Sequence, residues 1–172
     1  WGDGAVFLAN NGVWFERAES SRAPSEVRPL ATTTRWNLGQ LTVAGDRLFV
    51  VGARADGRAL LEVVDDELRW VRDLGRRSVI ASDGSDLWLW SETSEAPLVG
   101  ELVRRGPGGA ETVVRTGVVA LLGVGTVAER TVVALSDGVY VVGAAGGLAR
   151  LVPPEVTASS PIPVEPMLGA ED

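Results

Sequence analysis

The stretch Thr131-Val132-Val133-Ala134-Leu135-Ser136-Asp137-Gly138-Val139-Tyr140-Val141-Val142-Gly143 decides the fold, because a second version stands near the start as Ala5-Val6-Phe7-Leu8-Ala9-Asn10-Asn11-Gly12-Val13-Trp14-Phe15. Each reads as a β-hairpin. Four or five apolar residues lead into Ser-Asp-Gly or Asn-Asn-Gly, whose last two residues tolerate the positive φ of a tight turn, and a β-branched or aromatic run follows. The glycines at 12 and 138 are separated by 138 − 12 = 126 residues, three steps of 42. That spacing predicts two further copies, and Leu48-Phe49-Val50-Val51 and Leu87-Trp88-Leu89-Trp90 supply them. With Val6, Leu48, Leu87 and Val132 taken as equivalent, the steps are 42, 39 and 45 residues, the interval of a four-stranded propeller blade. The expected fold is therefore all-β: a β-propeller, or an open propeller arc, of about four blades of four antiparallel strands over residues 1–152. A two-sheet sandwich has no reason to repeat at this interval.

Working outward, 5–9 and 13–18 form the first hairpin, and Val27-Arg28-Pro29-Leu30 suits an edge strand because proline cannot donate to a ladder. Residues 31–40 read as an irregular crossing. The second blade reads as strands at 41–44, 48–51, 59–64 and 68–72, with turns at Gly45-Asp46, Ala55-Asp56-Gly57 and Asp65-Asp66-Glu67; its last strand alternates as a half-exposed outer strand should. The third has strands at 79–81, 87–90, 98–103 and 112–115. The fourth begins at 118–122, crosses 123–130 as a loop, and continues through the hairpin quoted above to 148–152. Inner strands are nearly all apolar, as expected where neighbouring blades cover both faces of a sheet.

Blade one lacks an innermost strand, because Trp1-Gly2-Asp3-Gly4 already corresponds to the turn at Gly45-Asp46. Residues 153–172 carry five prolines and read as a linker or tail, within which 155–159 supply a candidate closing strand: Val156-Thr157-Ala158-Ser159 echoes Val79-Ile80-Ala81-Ser82. The alternatives are a fifth blade opening there, or two chains pairing into a larger ring, since unsealed edges expose backbone groups. The first residue is Trp1 rather than Met, which points to a processed product or a segment of a longer chain.

Composition narrows the function classes. The 172 residues include no cysteine, no histidine and no lysine; all 16 basic residues are arginine, in the manner of a GC-rich bacterial genome. Nucleophile–base pairs and thiolate or imidazole metal sites cannot be assembled from such a chain, so no catalytic residue, metal ligand or cofactor is expected. A net charge of −7 disfavours nucleic acid and anionic membrane surfaces, which need a basic field. No apolar run reaches the roughly 18 residues that span a bilayer.

The pattern of small or apolar residues leading to Asp/Asn-Gly-Val-aromatic, as in Leu135-Ser136-Asp137-Gly138-Val139-Tyr140 and Ala9-Asn10-Asn11-Gly12-Val13-Trp14, resembles the repeats of bacterial β-propellers, including those in the sensor regions of two-component regulators. The resemblance spans residues 1–152 and implies a rigid disc that presents loops to a partner. There is no Trp-Asp dipeptide of the WD40 class and no Ser-x-Asp-x-Gly-x-Thr-Trp box of the sialidase type. Shared architecture implies no single activity.

Four constellations remain. Gly123-Val124-Gly125-Thr126-Val127-Ala128 matches G-x-G-x-x-A, but β-branched residues follow where a dinucleotide site needs a helix. Asp3, Asp46, Asp83, Asp86 and Glu129 fall in the turns nearest the propeller axis, where they form either an acidic mouth for a cation or glycan or ordinary solvated turn residues. Trp88 and Trp90 share a face and read as core between blades, with Trp14 and Trp70 beside them in that reading. On the opposite side, second-to-third-strand turns and blade crossings bring Arg35, Trp36, Arg54, Arg58, Arg76 and Arg77 together. Arginine with tryptophan is the composition of protein interfaces, and solvated arginines paired with Asp56, Asp73 and Glu92 are the plain alternative. The expected function is a non-enzymatic scaffold that binds a protein partner through these loops; the alternative is a sensor domain using the acidic mouth for a glycan or cation.

Overall fold

The computed structural model describes residues 4–17, 26–95 and 98–151, and over these the chain is all-β, with four antiparallel sheets and no helix. The first sheet holds β1 (Gly4–Ala9), β2 (Gly12–Arg17) and β3 (Glu26–Thr32). The second holds β4 (Asn37–Ala44), β5 (Arg47–Arg54), β6 (Gly57–Val64) and β7 (Glu67–Leu74). The third holds β8 (Ser78–Ser82), β9 (Leu87–Glu95), β10 (Leu98–Arg105) and β11 (Glu111–Val118). The fourth holds β12 (Leu121–Val127), β13 (Arg130–Leu135), β14 (Gly138–Val142) and β15 (Leu148–Arg150).

Each sheet is a simple meander, strand paired to next strand, and the turns among the described residues are short. Asn10 and Asn11 (φ 49° and 57°), Asp65 and Asp66 (52° and 63°) and Ala128 and Glu129 (47° and 62°) are two-residue turns with both φ positive. That conformation matches the right-handed twist of the flanking strands, and Asn and Asp tolerate it at little cost.

Successive sheets stack face to face, with one apolar seam between each consecutive pair. Val6, Leu8, Val13, Phe15 and Leu30 of the first blade meet Leu48, Val50 and Val63 of the second. The second blade's other face, with Phe49, Val51 and Leu60, meets Ile80, Leu87, Leu89 and Val103. The third blade's far face, with Trp88, Trp90, Leu102 and Val118, meets Leu121, Val133, Leu135 and Tyr140. Among the described residues, four blades joined by three seams make an open, propeller-like arc. Both faces of the middle blades are covered, which is why β5 and β9 read as unbroken apolar runs.

Near the axis the blades are also tied by polar bonds: Gly45 N–H donates to Gly84 O at 2.9 Å, and Ile80 N–H to Gln40 Oε1 at 3.0 Å. At the opposite end of the strand order, Arg72 meets Glu111 at 2.7 Å across the second seam, and Arg115 meets Asp137 at 2.6 Å across the third.

The structure corrects several expectations. β3 extends to Thr32 and β4 begins at Asn37, so the crossing between the first two blades is four residues rather than ten. Gly123 to Val127 is not a loop but the body of β12, and a strand follows it, so the G-x-G-x-x-A match has no phosphate-binding turn to belong to. Trp70 is not core but 60% exposed. A bulge between Leu60 and Leu61 leaves Val71 as an extra residue, so Val71 and Leu74 turn inward while the ring of Trp70 faces out. The set Val6, Leu48, Leu87, Val132 mixes two faces: Val6 faces the next blade and Leu48 the preceding one. Matched by face, Val6, Phe49, Trp88 and Val132 are equivalent. A one-residue slip in a strand changes the side on which every residue falls. Among the described residues blade one has three strands; the closing strand assigned to 155–159, the turn at 1–3 and the tail at 153–172 lie outside them.

Candidate functional site

The β5–β6 turn, the crossing before β4 and the crossing before β8 lie on one side of the second blade and bring five of the six proposed binding residues together. The guanidinium of Arg54 lies over the Trp36 ring at 4.6 Å from its centroid, while its Nε contacts Asp56. Together they wall a hollow of ≈ 270 Å³ that is completed by Arg58, Asp73 and Leu74. Arg58 Nη1 donates to Arg76 O at 2.8 Å, which joins this hollow to the next. That second hollow, of ≈ 390 Å³, is lined by Arg76, Arg77, Glu92, Glu95 and Leu98. The sixth residue, Arg35, sits exposed beside Trp36 at the crossing, where its backbone N–H donates to Thr33 Oγ1 at 3.0 Å.

Charge on this face alternates. Arg76 Nη1 meets Glu95 Oε1 at 2.6 Å, and that hydrogen bond holds the guanidinium above the usual arginine range. Glu92 Oε2 accepts the Arg77 backbone N–H at 3.0 Å, and Asp73 accepts from Trp70 Nε1 at 3.1 Å. Of the three carboxylates the plain alternative named, only Asp56 pairs with an arginine side chain, that of Arg54; Asp73 and Glu92 take other donors, and Arg76 pairs with Glu95 instead. An exposed pair of this kind is screened by water and weakly held, so a carboxylate on another molecule can exchange with it at small cost. Arg58 Nε is buried with no hydrogen-bond partner among the described residues.

Sequence reasoning missed Glu95, Leu98 and Leu74. The β9 strand was expected to end at Trp90, and its extension to Glu95 is what carries that carboxylate to Arg76. The signal lay in the polar alternation Glu92-Thr93-Ser94-Glu95, which suits a strand leaving the covered core.

The axial acids are differently placed. Asp83 Oδ1 accepts from the backbone N–H groups of Ser85 and Asp86 at 3.0 and 2.8 Å, and Oδ2 accepts from Trp88 Nε1 and Thr131 Oγ1 at 3.1 and 2.9 Å. Burial opposes its charge, but the donated hydrogen bonds outweigh that and hold its pKa at about 2. Asp86 is buried and bound to Arg104. Among the described residues no three acidic side chains gather as a cation-binding group. Asp83 and Asp86 are joints between strands: Asp83 fixes the β8–β9 turn and, through Thr131, ties the third blade to the fourth.

No protein-family model matches this chain, and no curated protein matches it significantly.

Proposed function

We propose that the chain is a non-enzymatic interaction module, a repeat scaffold of the bacterial propeller kind, that binds a protein partner through the Trp36/Arg54–Arg58/Arg76–Arg77 face. The observation that supports this reading most is the Arg54–Trp36 stack at the rim of a hollow with polar walls. A planar cation laid on an indole is a flat, amphipathic contact surface with few freely rotating bonds left to immobilise, so little entropy is lost when another surface covers it. The neighbouring exposed ion pairs supply exchangeable donors and acceptors around it, as at the rim of an interface.

The test compares affinity capture from the source organism's extract by the wild-type chain, by Trp36→Ala and by the double variant Arg54→Glu, Arg58→Glu. A protein recovered at near-equal stoichiometry with wild type and at least about tenfold weaker with each variant, as loss of a contact worth 1.4 kcal/mol or more gives, supports the reading. Equal recovery by all three chains overturns it.

A further inference from the structure

Among the described residues, no further sheet packs on the outer side of blade one or of blade four, and the two sides are of opposite kind. Blade one shows the side that blades two, three and four bury against their predecessors; blade four shows the side that blades one, two and three bury against their successors. On blade one, alternation places the exposed Ala5 and the half-buried Phe7 and Trp14 on this outer side, with Phe7 paired to Trp14 across the hairpin and the half-buried Glu16 beside them. On blade four it places Gly125, Val127, Val132 and Val139 there. Val127 is 65% exposed and Val139 41%, and a Cβ added at Gly123 or Gly125 meets nothing within 4 Å.

We infer that a second copy of this chain covers these faces, docking blade four of one copy against blade one of the other, head to tail, so that two copies together close the arc. The contact continues an interface the chain already makes three times. Its shapes also match. Blade one carries aromatic knobs, whereas blade four carries glycines and a hollow of ≈ 530 Å³ lined by Arg130, Val141, Ala149 and Leu151. Its charges match as well: Arg130 opens β13 on blade four's outer side, and Glu16 lies at the corresponding open end of the β1–β2 hairpin on blade one's. The second and third seams are each flanked by an Arg–carboxylate pair, Arg72–Glu111 and Arg115–Asp137. Like faces do not meet in this arrangement, so the contact is heterologous, and a pair covers all four free faces at once.

The chain has no cysteine, so single-cysteine variants report the contact cleanly. Ala5→Cys and Gly125→Cys, both on open surface, are prepared as full chains. Mixed under mild oxidation, they are expected to give a disulfide-linked pair, whereas each alone is expected to give at least about tenfold less, because the contact sets unlike faces together. Sedimentation of the unmodified chain is expected to show a species of twice 18.1 kDa, and Val139→Glu is expected to weaken it about tenfold or more by forcing a carboxylate into an apolar seam. Several outcomes overturn the inference: an 18.1 kDa species at every concentration, as when the chain's own residues 152–172 cover the faces; equal cross-linking of each variant with itself; or a ladder of ever larger species. Trp36→Ala leaves this association unchanged, and Val139→Glu leaves capture through the Trp36 face unchanged, so the two proposals fail separately.

Discussion

Asp83 shows how a single side chain holds two blades in place. Its carboxylate oxygens accept five hydrogen bonds, two from Ser85 and one each from Asp86, Trp88 and Thr131. Asp83→Ala removes the acceptor and leaves those donors to find water or go unpaired, so it is expected to cost roughly 1.5–3 kcal/mol in urea unfolding. The pH dependence has a definite sign. With the folded pKa held at about 2, below the ordinary 3.8, the carboxylate's contribution is complete above about pH 4 and is lost as pH falls through about 2. The wild type is expected to lose stability over that interval, and Asp83→Ala to lose correspondingly less, in parallel acid titrations followed by circular dichroism. Gly12 marks a second residue-scale constraint. A Cβ there would come within 2.9 Å of Trp14 Nε1 and 3.1 Å of Ala31 O, so Gly12→Ala is expected to cost roughly 1–3 kcal/mol through overpacking. The glycine was legible in the sequence as a turn residue, but for the wrong reason. Asn10 and Asn11 make the turn, and Gly12 opens the next strand where only a hydrogen fits.

At the scale of the strand, turn chemistry made the sheets readable and bulges made their faces hard to read. Every second-blade turn stands where Gly45-Asp46, Ala55-Asp56 and Asp65-Asp66 mark it, because these residues accept backbone conformations that a strand does not use. Whether a side chain points to the seam or to water depends on registry, and one inserted residue reverses it. Trp88 and Trp90, in a run covered on both sides, fall in the core as the sequence implies, and Trp90 Nε1 finds the Val118 carbonyl at 2.9 Å. Trp70, beyond a bulge in the outermost strand, does not. The two tryptophans should therefore respond oppositely in urea unfolding. Trp88→Ala is expected to cost roughly 3–5 kcal/mol, as loss of a fully buried ring does. Trp70→Ser, whose ring is exposed, is expected to change stability by less than about 0.5 kcal/mol.

The whole molecule is an arc, and its chemistry follows from that shape. Three seams consume the apolar faces of the middle blades, the inner turns are stitched to one another by Gly45, Gly84, Asp83 and Thr131, and the exposed turns of the second and third blades gather arginine, tryptophan and carboxylates on one side. The interval near 42 residues foretold the number of blades, because a four-stranded meander uses about that much chain. It did not foretell the free faces, since a sequence period says nothing about whether its first and last units meet. Nor did it reveal the ion pairs of the binding face, which join residues brought close only by stacking, such as Arg76 and Glu95.

The stacking of consecutive sheets is tested most directly by nuclear Overhauser contacts between side chains in the isotopically labelled chain. The expected result is three separate sets, joining Val13 to Leu48 and Val50, Phe49 and Leu60 to Leu89 and Val103, and Trp90 and Leu102 to Val133 and Leu135. Contacts that merge these sets into one cluster, or sequential amide contacts of a helix through Thr131–Leu135, would contradict it.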